Sequence, residues 1–324
     1  MVSRRLLCIS AMGTTLLGAS PLAIAQAHDY PNKPIRIIVP FAPGGGTDFV
    51  VRTIVSKAFE GSGQQVIVDN RAGAGGNLGT AAGAKVAPDG YTLTVAYMGT
   101  LAIGQWLYKD AGFRPQDFTY ITQFVSVPLV AVANANVPIK NLKELAAYAN
   151  ENPGKVSYAA AGDTSQMTGE LFRLASKSKI TQVPYKGAAP AVNDLLGGHI
   201  QAGFLGLAAT SEHIKSGKLR GLAVTQKTRL AALPDVPSAT EAGYPELEVS
   251  DWYGLAAPLG TPPDIVAKIS AEFQRVLKLP EVKERLNKAG FDTAGNSPAE
   301  FGAYVKHEYE RWGRIVKEAG IEAK

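Results

Sequence analysis

VPFAPGGGTDFV, residues 39–50, follows the strand-like run IRIIV and leads into a helix-like stretch, and this junction decides how the chain is read. A glycine-rich turn feeding a helix exposes unpaired backbone N–H groups at the positive end of the helix dipole. Its default guest is an anion such as phosphate or carboxylate. A Walker loop would need GxxxxGK[ST], but Gly44, Gly45 and Gly46 are followed by Thr47, Asp48 and Phe49, with no lysine. The dinucleotide fingerprint GxGxxG also fails, because Phe49 stands where a third glycine belongs. A second cluster, RAGAGGNLG at 71–79, gives only GxGxxxG. By itself each loop reads equally well as a tight turn.

Around this junction, strand and helix patterns alternate. The spacing predicts strands over 35–39, 65–69, 92–96, 129–133, 156–160, 182–184, 202–205 and 221–224. Helices are predicted over 48–59, 78–85, 142–150, 167–176, 190–196 and 213–216. The implied fold class is α/β with mainly parallel strands. Capping signals mark helix starts at Asn141 with Glu144, at Thr261 with Asp264 behind Pro262, and at Ser297 with Glu300 behind Pro298. From Thr261 onward the chain reads as almost pure helix, with Phe301, Val305, Trp312, Ile315 and Ala319 on one core-facing stripe. Segments 123–128 and 245–252 read as two crossovers between domains. This predicts one domain over 28–127 plus 249–324, a second over 128–248, and a hinge between them.

Arg4 and Arg5 precede an apolar run over 6–17, and small residues follow to Ala25 and Ala27, the pattern of a secretory signal peptide cleaved after one of those alanines. Cys8, the only cysteine, lies inside that segment, so the mature chain would hold none. Without residues 1–27, 31 basic residues stand against 28 acidic ones, a charge of +3. So mild an excess argues against a nucleic-acid partner and leaves room for small anions. The mature chain is expected to be soluble and exported.

Side-chain chemistry is sparse. The four histidines, His28, His199, His213 and His307, lack metal-ligand spacing, and there is no GxSxG elbow, so neither a metal site nor a serine triad is expected. No cofactor motif is present. What stands out instead is a set of turns rich in Gly, Ala, Ser and Thr where strands hand over to helices. The first holds Phe41, Ala42, Gly44, Gly45, Gly46, Thr47 and Asp48; the second Met98, Gly99 and Thr100; the third Ala161, Gly162, Asp163, Thr164, Ser165, Gln166 and Thr168; the fourth Gly206. In α/β sheets such turns gather at the carboxyl ends of the strands, where ligands bind. Two turns from each expected domain would line one cleft.

YPNKPIRIIVPFAPGGGTD, VDNRAGAGGNLGTAAGAKVAPDGYTL, VPYKGAAPAVNDLLGGHIQ, HIKSGKLRGLAVT and LPDVPSATEAGYPELEVSDWYGLAAPLGTPPDIV, in that order along nearly the whole chain, resemble the Bug family of periplasmic receptors of tripartite tricarboxylate transporters. The resemblance implies a two-domain periplasmic binding protein, type II-like, a Venus flytrap with two hinge crossovers. It implies a carboxylated small molecule held between the domains, large and small membrane subunits as partners, a monomeric receptor and no enzymatic activity. It also implies that the turns around residues 41–48 and 161–168 pinch a ligand carboxylate through backbone amides and ordered water. Neutral donors suit a receptor that must release its cargo, because a buried ion pair carries heavy desolvation costs.

Two departures bear on the ligand. Family members often carry an Asp soon after GGHI and another near the following Phe, where this chain has Gln201, Leu205 and Gly206. The cleft should therefore suit an aromatic or medium-chain dicarboxylate. Asp163 is an acid where small neutral residues are common, and either bonds a ligand hydroxyl or amine or caps the next helix. Tyr97, Met98, Tyr185 and Trp252 supply apolar walls or core in equal measure. A sensory module presenting its closed form to a membrane kinase, and an exported enzyme using Asp48 or Asp163, are the alternative readings.

Overall fold

A computed structural model describes residues 30–323. The expected signal peptide, with its cleavage point, lies outside the described residues. The first strand, β1 (Ile35–Val39), buries every side chain but Arg36, as a strand covered on both faces must. Through the glycine turn it feeds α1 (Gly46–Val55), then β2 (Val66–Asn70), α2 (Asn77–Ala84) and β3 (Thr92–Tyr97). A π-helical turn at Gly99–Ile103 continues into α3 (Gly104–Leu107). The next strand, β4 (Phe118–Asn134), is 17 residues long.

A second run follows: α4 (Leu142–Glu151), β5 (Ser157–Ala160), α5 (Asp163–Ser176), β6 (Thr181–Pro184), α6 (Ala188–Gly197), β7 (Ala202–Gly206), α7 (Leu207–Lys215) and β8 (Leu219–Val224). The chain then returns through β9 (Ser250–Pro258) and ends in α8 (Pro263–Leu277), α9 (Pro280–Lys288), β10 (Asp292–Thr293) and α10 (Pro298–Glu318).

The strands form one sheet in the order β2-β1-β3-β9-β4-β7-β5-β6, with β8 and β10 also paired to β4. Each end is parallel: β1 with β2 and β3, and β5 with β6 and β7. The middle is antiparallel, since β9 opposes β3 and β4, and β4 opposes β7 and β8. The sheet is thus mixed, where the pattern predicted mainly parallel strands. The difference lies in β9 and β4: the predicted strand over 129–133 runs antiparallel to β7 and β8, and the predicted links over 123–128 and 245–252 overlap the first part of β4 and the start of β9, which pair antiparallel. Gln123, Ser126 and Pro128 interrupt the apolar run there.

Pro128 sits where the interruption does no harm. It pairs in register with Ser250 at the start of β9, and the next residue, Leu129, already pairs with Gly206 of β7. A residue without an N–H is tolerated where a strand changes neighbours. Beside this switch, Thr225 Oγ1 accepts from the Leu129 amide at 3.0 Å and donates to the Val249 carbonyl at 2.6 Å.

Two of the three predicted caps form. Asn141 accepts from the Glu144 amide, and Ser297 and Glu300 make a reciprocal capping box, each worth about 1 kcal/mol. Thr261 does not cap: its hydroxyl donates to the Pro258 carbonyl, and Pro262 holds the cap position. Helices α5 and α7 start earlier than predicted, at Asp163 and Leu207. The carboxyl-terminal helices are interrupted by β10. On α10, Phe301, Val305 and Trp312 are buried as predicted; Val316 completes the stripe, while Ile315 and Ala319 sit half-buried at its edge.

Candidate functional site

The glycine turn folds around Asp48. Its carboxylate accepts from the Gly44 amide at 2.9 Å, from Arg52 Nε at 2.9 Å and from Asn70 Nδ2 at 2.9 Å, and Asn70 also donates to the Phe41 carbonyl at 3.0 Å. Burial pushes the Asp48 carboxyl up, but the bonds from Arg52, Gly44 and Asn70 outweigh it and hold it below the usual range. Asp48 is buried and spends its charge on the turn, not on the cleft. Ala42, Gly44 and Gly45 likewise shape the turn without lining a cavity, whereas Phe41, Gly46 and Thr47 do line one.

The turn ahead of α5 contributes more. Gly162, at φ +126°, occupies a backbone region that L-residues avoid, and it opens α5 with no side-chain cap. Ser165 Oγ accepts from the Ala161 amide at 3.1 Å and donates to the Ala159 carbonyl at 3.2 Å, locking the turn. Ala161, Gly162, Asp163, Thr164, Ser165 and Gln166 all reach the cleft. Thr168 does not: its hydroxyl donates to the Thr164 carbonyl inside the helix. Asp163 does not cap α5; its Oδ1 accepts from the Tyr108 hydroxyl at 3.3 Å.

Met98, Gly99 and Thr100 lie behind the cleft, all buried. They position Tyr97, which does line it: a Cβ at residue 99 would collide with the Tyr97 ring, and Thr100 Oγ1 donates to the Tyr97 carbonyl. Gly206 lines the cleft at the start of α7. Gln201 does not, because its side chain accepts from the Ser157 amide at 3.0 Å. Of the suggested apolar walls, Tyr97 and Tyr185 face the cleft, while Met98 and Trp252 are core.

The cleft has two connected parts that share Tyr97, Ala161, Gly162 and Tyr253. The inner part, about 260 Å³, is bounded by apolar groups including Val127, Leu129, Leu205 and Phe291. The outer part, about 570 Å³, is more polar and includes Lys186 and Gln182. Around the inner part converge the first turns of four helices, α1, α5, α6 and α7, none with a side-chain cap. Their leading N–H groups and dipoles make the wall positive. No lysine or arginine lines the inner part.

Among the contributors missed in the sequence are the start of α6, Asp251 and Tyr253. The start of α6 at Gly187 (φ +106°) and Ala188 carries its own signal, a glycine three residues ahead of a first-turn proline, Pro190. Asp251 and Tyr253 carry the other, since they alternate with Trp252 on β9 and so face the side opposite the core. Burial, aided by the negative charge of Asp163 and opposed by a bond from the Trp252 amide, pushes the Asp251 carboxyl up to about 7. Thr164, 4% exposed, lines the same cavity. Among the described residues no cluster of His, Cys, Asp and Glu is arranged to hold a metal.

Comparison with known proteins accounts for this geometry. Residues 50–321 match the family model described as the tripartite tricarboxylate transporter family receptor. BugT of Bordetella pertussis (strain Tohama I) is 37% identical over 320 residues, covering 98% of each chain. An R. palustris protein solved with adipate superposes with a TM-score of 0.83 at 33% identity, over 91% of this chain and 100% of that one. The periplasmic binding protein BugD superposes with a TM-score of 0.80 at 37% identity, again over 91% and 100%. The α/β sheet with its interrupted middle is therefore the two-domain fold of the periplasmic binding proteins, as the sequence implied. This chain belongs to the tripartite tricarboxylate transporter family receptors.

Proposed function

We propose that this receptor captures a small dicarboxylate with an apolar body, of the size of adipate or an aromatic diacid, and hands it to the large and small membrane subunits of a tripartite transporter. The family is a class of periplasmic solute-binding receptors, not of enzymes. One observation carries the ligand class: four uncapped helix N-termini converge on a cavity that contains no basic side chain. Such a wall holds a carboxylate by oriented amides. The apolar surfaces of Val127, Leu129, Leu205 and Phe291 favour a hydrocarbon body, and Lys186 in the outer part offers a counter-charge for a distal carboxylate.

In this reading residues 28–127 with 249–324 form one domain and 128–248 the other. Support comes from β4 changing partners between Pro128 and Leu129, and from β9 starting at Ser250. Closure of the two domains on the ligand gives the membrane subunits a shape to recognise. The receptor acts as a periplasmic monomer, exported by the segment over residues 1–27 and cleaved after Ala25 or Ala27. A thermal-shift screen over C4 to C8 aliphatic diacids, aromatic diacids, tricarboxylates and amino acids tests the assignment. Stabilisation of about 2.7 kcal/mol at a hundredfold excess over Kd is expected for one diacid class. Silence across all carboxylates would reject it.

A further inference from the structure

The inner cavity already contains a carboxyl group. Asp251 reaches it from β9, and the groups acting on that carboxyl are Tyr97 from β3, Asp163 and Thr164 from α5, Tyr253 from β9 itself and Tyr304 from α10. The titratable ones are three phenols and a second acid, with no cation among them. Asp251 Oδ1 accepts from the Trp252 amide at 2.9 Å. Thr164, buried, lines the same space. An incoming carboxylate must therefore share with Asp251 the positive field of the same helix N-termini. Two like charges held that close without a cation cannot both persist, and one must take a proton.

We propose that Asp251 takes up one proton from solvent as a carboxylate enters the inner cavity, and that its neutral carboxyl then donates an O–H hydrogen bond to the bound anion. This rests on the carboxylate-receptor reading and deepens it, since it makes capture proton-linked and makes Asp251 a specificity-determining residue. The charge balances: one anion and one proton enter together, and the net charge of the cavity is unchanged. Asp251 is suited to the exchange because burial and the neighbouring Asp163 already poise it to gain or lose a proton near neutral pH. Protonated, it selects ligands that present an acceptor. Ionised, it would select ligands that present an ammonium or hydroxyl donor.

The test is calorimetric titration of the protein with adipate, in buffers of contrasting ionisation enthalpy, from about pH 6 to about pH 8.5. Expected are an uptake of roughly one proton per adipate at the alkaline end, vanishing towards pH 6, and an affinity that falls about tenfold per pH unit above neutrality. D251N should take up no proton and bind adipate more tightly than the unaltered protein at about pH 8, with its melting temperature confirming that it folds. Binding without proton uptake, uptake that persists in D251N, or affinity that rises with pH would each overturn the proposal while leaving the receptor reading intact. If neither adipate nor any other carboxylate in the screen binds at any pH, the receptor reading fails and this one with it.

Discussion

Tyr108 donates its hydroxyl to Asp163 Oδ1 at 3.3 Å, linking the end of α3 to the start of α5 from opposite walls of the outer cleft. The sequence left Asp163 between a helix cap and a ligand contact. The structure gives it another partner, and Gly162 holds the cap position instead. Burial, with the charge and the hydrogen bond of Asp163, pushes the Tyr108 hydroxyl up to about 12, so it stays a donor at physiological pH. In a receptor that closes on its ligand, a bond between the walls stabilises the closed form and slows release. Tyr108→Phe should weaken adipate binding by up to about tenfold, the worth of one charge-assisted hydrogen bond, mainly through a faster off-rate. Stopped-flow fluorescence reads this directly, and an unchanged off-rate would mean that the bond does not survive in the closed form.

Within the opening turn, Gly46 tolerates a side chain less well than Gly45. A Cβ at residue 45 would meet only the Ala42 carbonyl at 3.8 Å, whereas one at residue 46 would meet the Phe291 ring at 3.2 Å and point into the inner cavity. Gly46→Val should therefore abolish the thermal shift given by adipate while the ligand-free protein still melts cooperatively. Gly45→Val should retain binding within a few-fold. Paired thermal-shift curves check this, and loss of binding in the residue-45 variant alone would show that the turn, not the cavity wall, makes the contact.

The hydroxyl of Thr225 ties both chain passages together, through Leu129 on β4 and Val249 just before β9. It is 2% exposed, so Thr225→Val leaves the Leu129 amide and the Val249 carbonyl short of a buried partner. The cost should be about 1–3 kcal/mol, seen as a lower urea midpoint with an unchanged slope. A smaller loss would place the mechanical connection of the two sheet halves elsewhere.

Much of this was legible in the sequence. The β1 turn and the Ser297 capping box carry local signals and stand where the residues put them, whereas α5 begins at Asp163, ahead of its predicted start at 167. The parallel ends of the sheet were readable for the same reason. What escaped is non-local. β4 and β9 are strands because they pair with each other, and nothing within SDWYGLAAP says which partner it will find. Asp48 looked like a ligand group because it follows three glycines; only Arg52 one helical turn on and Asn70 at the end of β2 reveal that its charge is already spent. Asp251, one acid among many in the chain, gains its character from Tyr97, Thr164 and Asp163, more than eighty residues away in sequence.

That character has a consequence for stability that is separate from binding. A carboxyl raised from 3.8 to about 7 by folding disfavours the native state wherever the unfolded chain is ionised. The penalty is absent below about pH 4, grows as pH rises from there to about 7, and then stays constant. Its ceiling is about 4 kcal/mol, and the side chain's access to the open cleft lowers the realised value. Asp251→Asn removes the ionisable group while keeping its size and its acceptor for the Trp252 amide. In the absence of ligand it should raise the melting temperature by several degrees at about pH 8, with the gain shrinking steadily towards pH 4. Thermal unfolding across that range checks the sign as well as the size. A gain that is constant with pH would mean that Asp251 titrates alike in the folded and unfolded chains, and a loss that grows with pH would mean that its charge is stabilised in the fold.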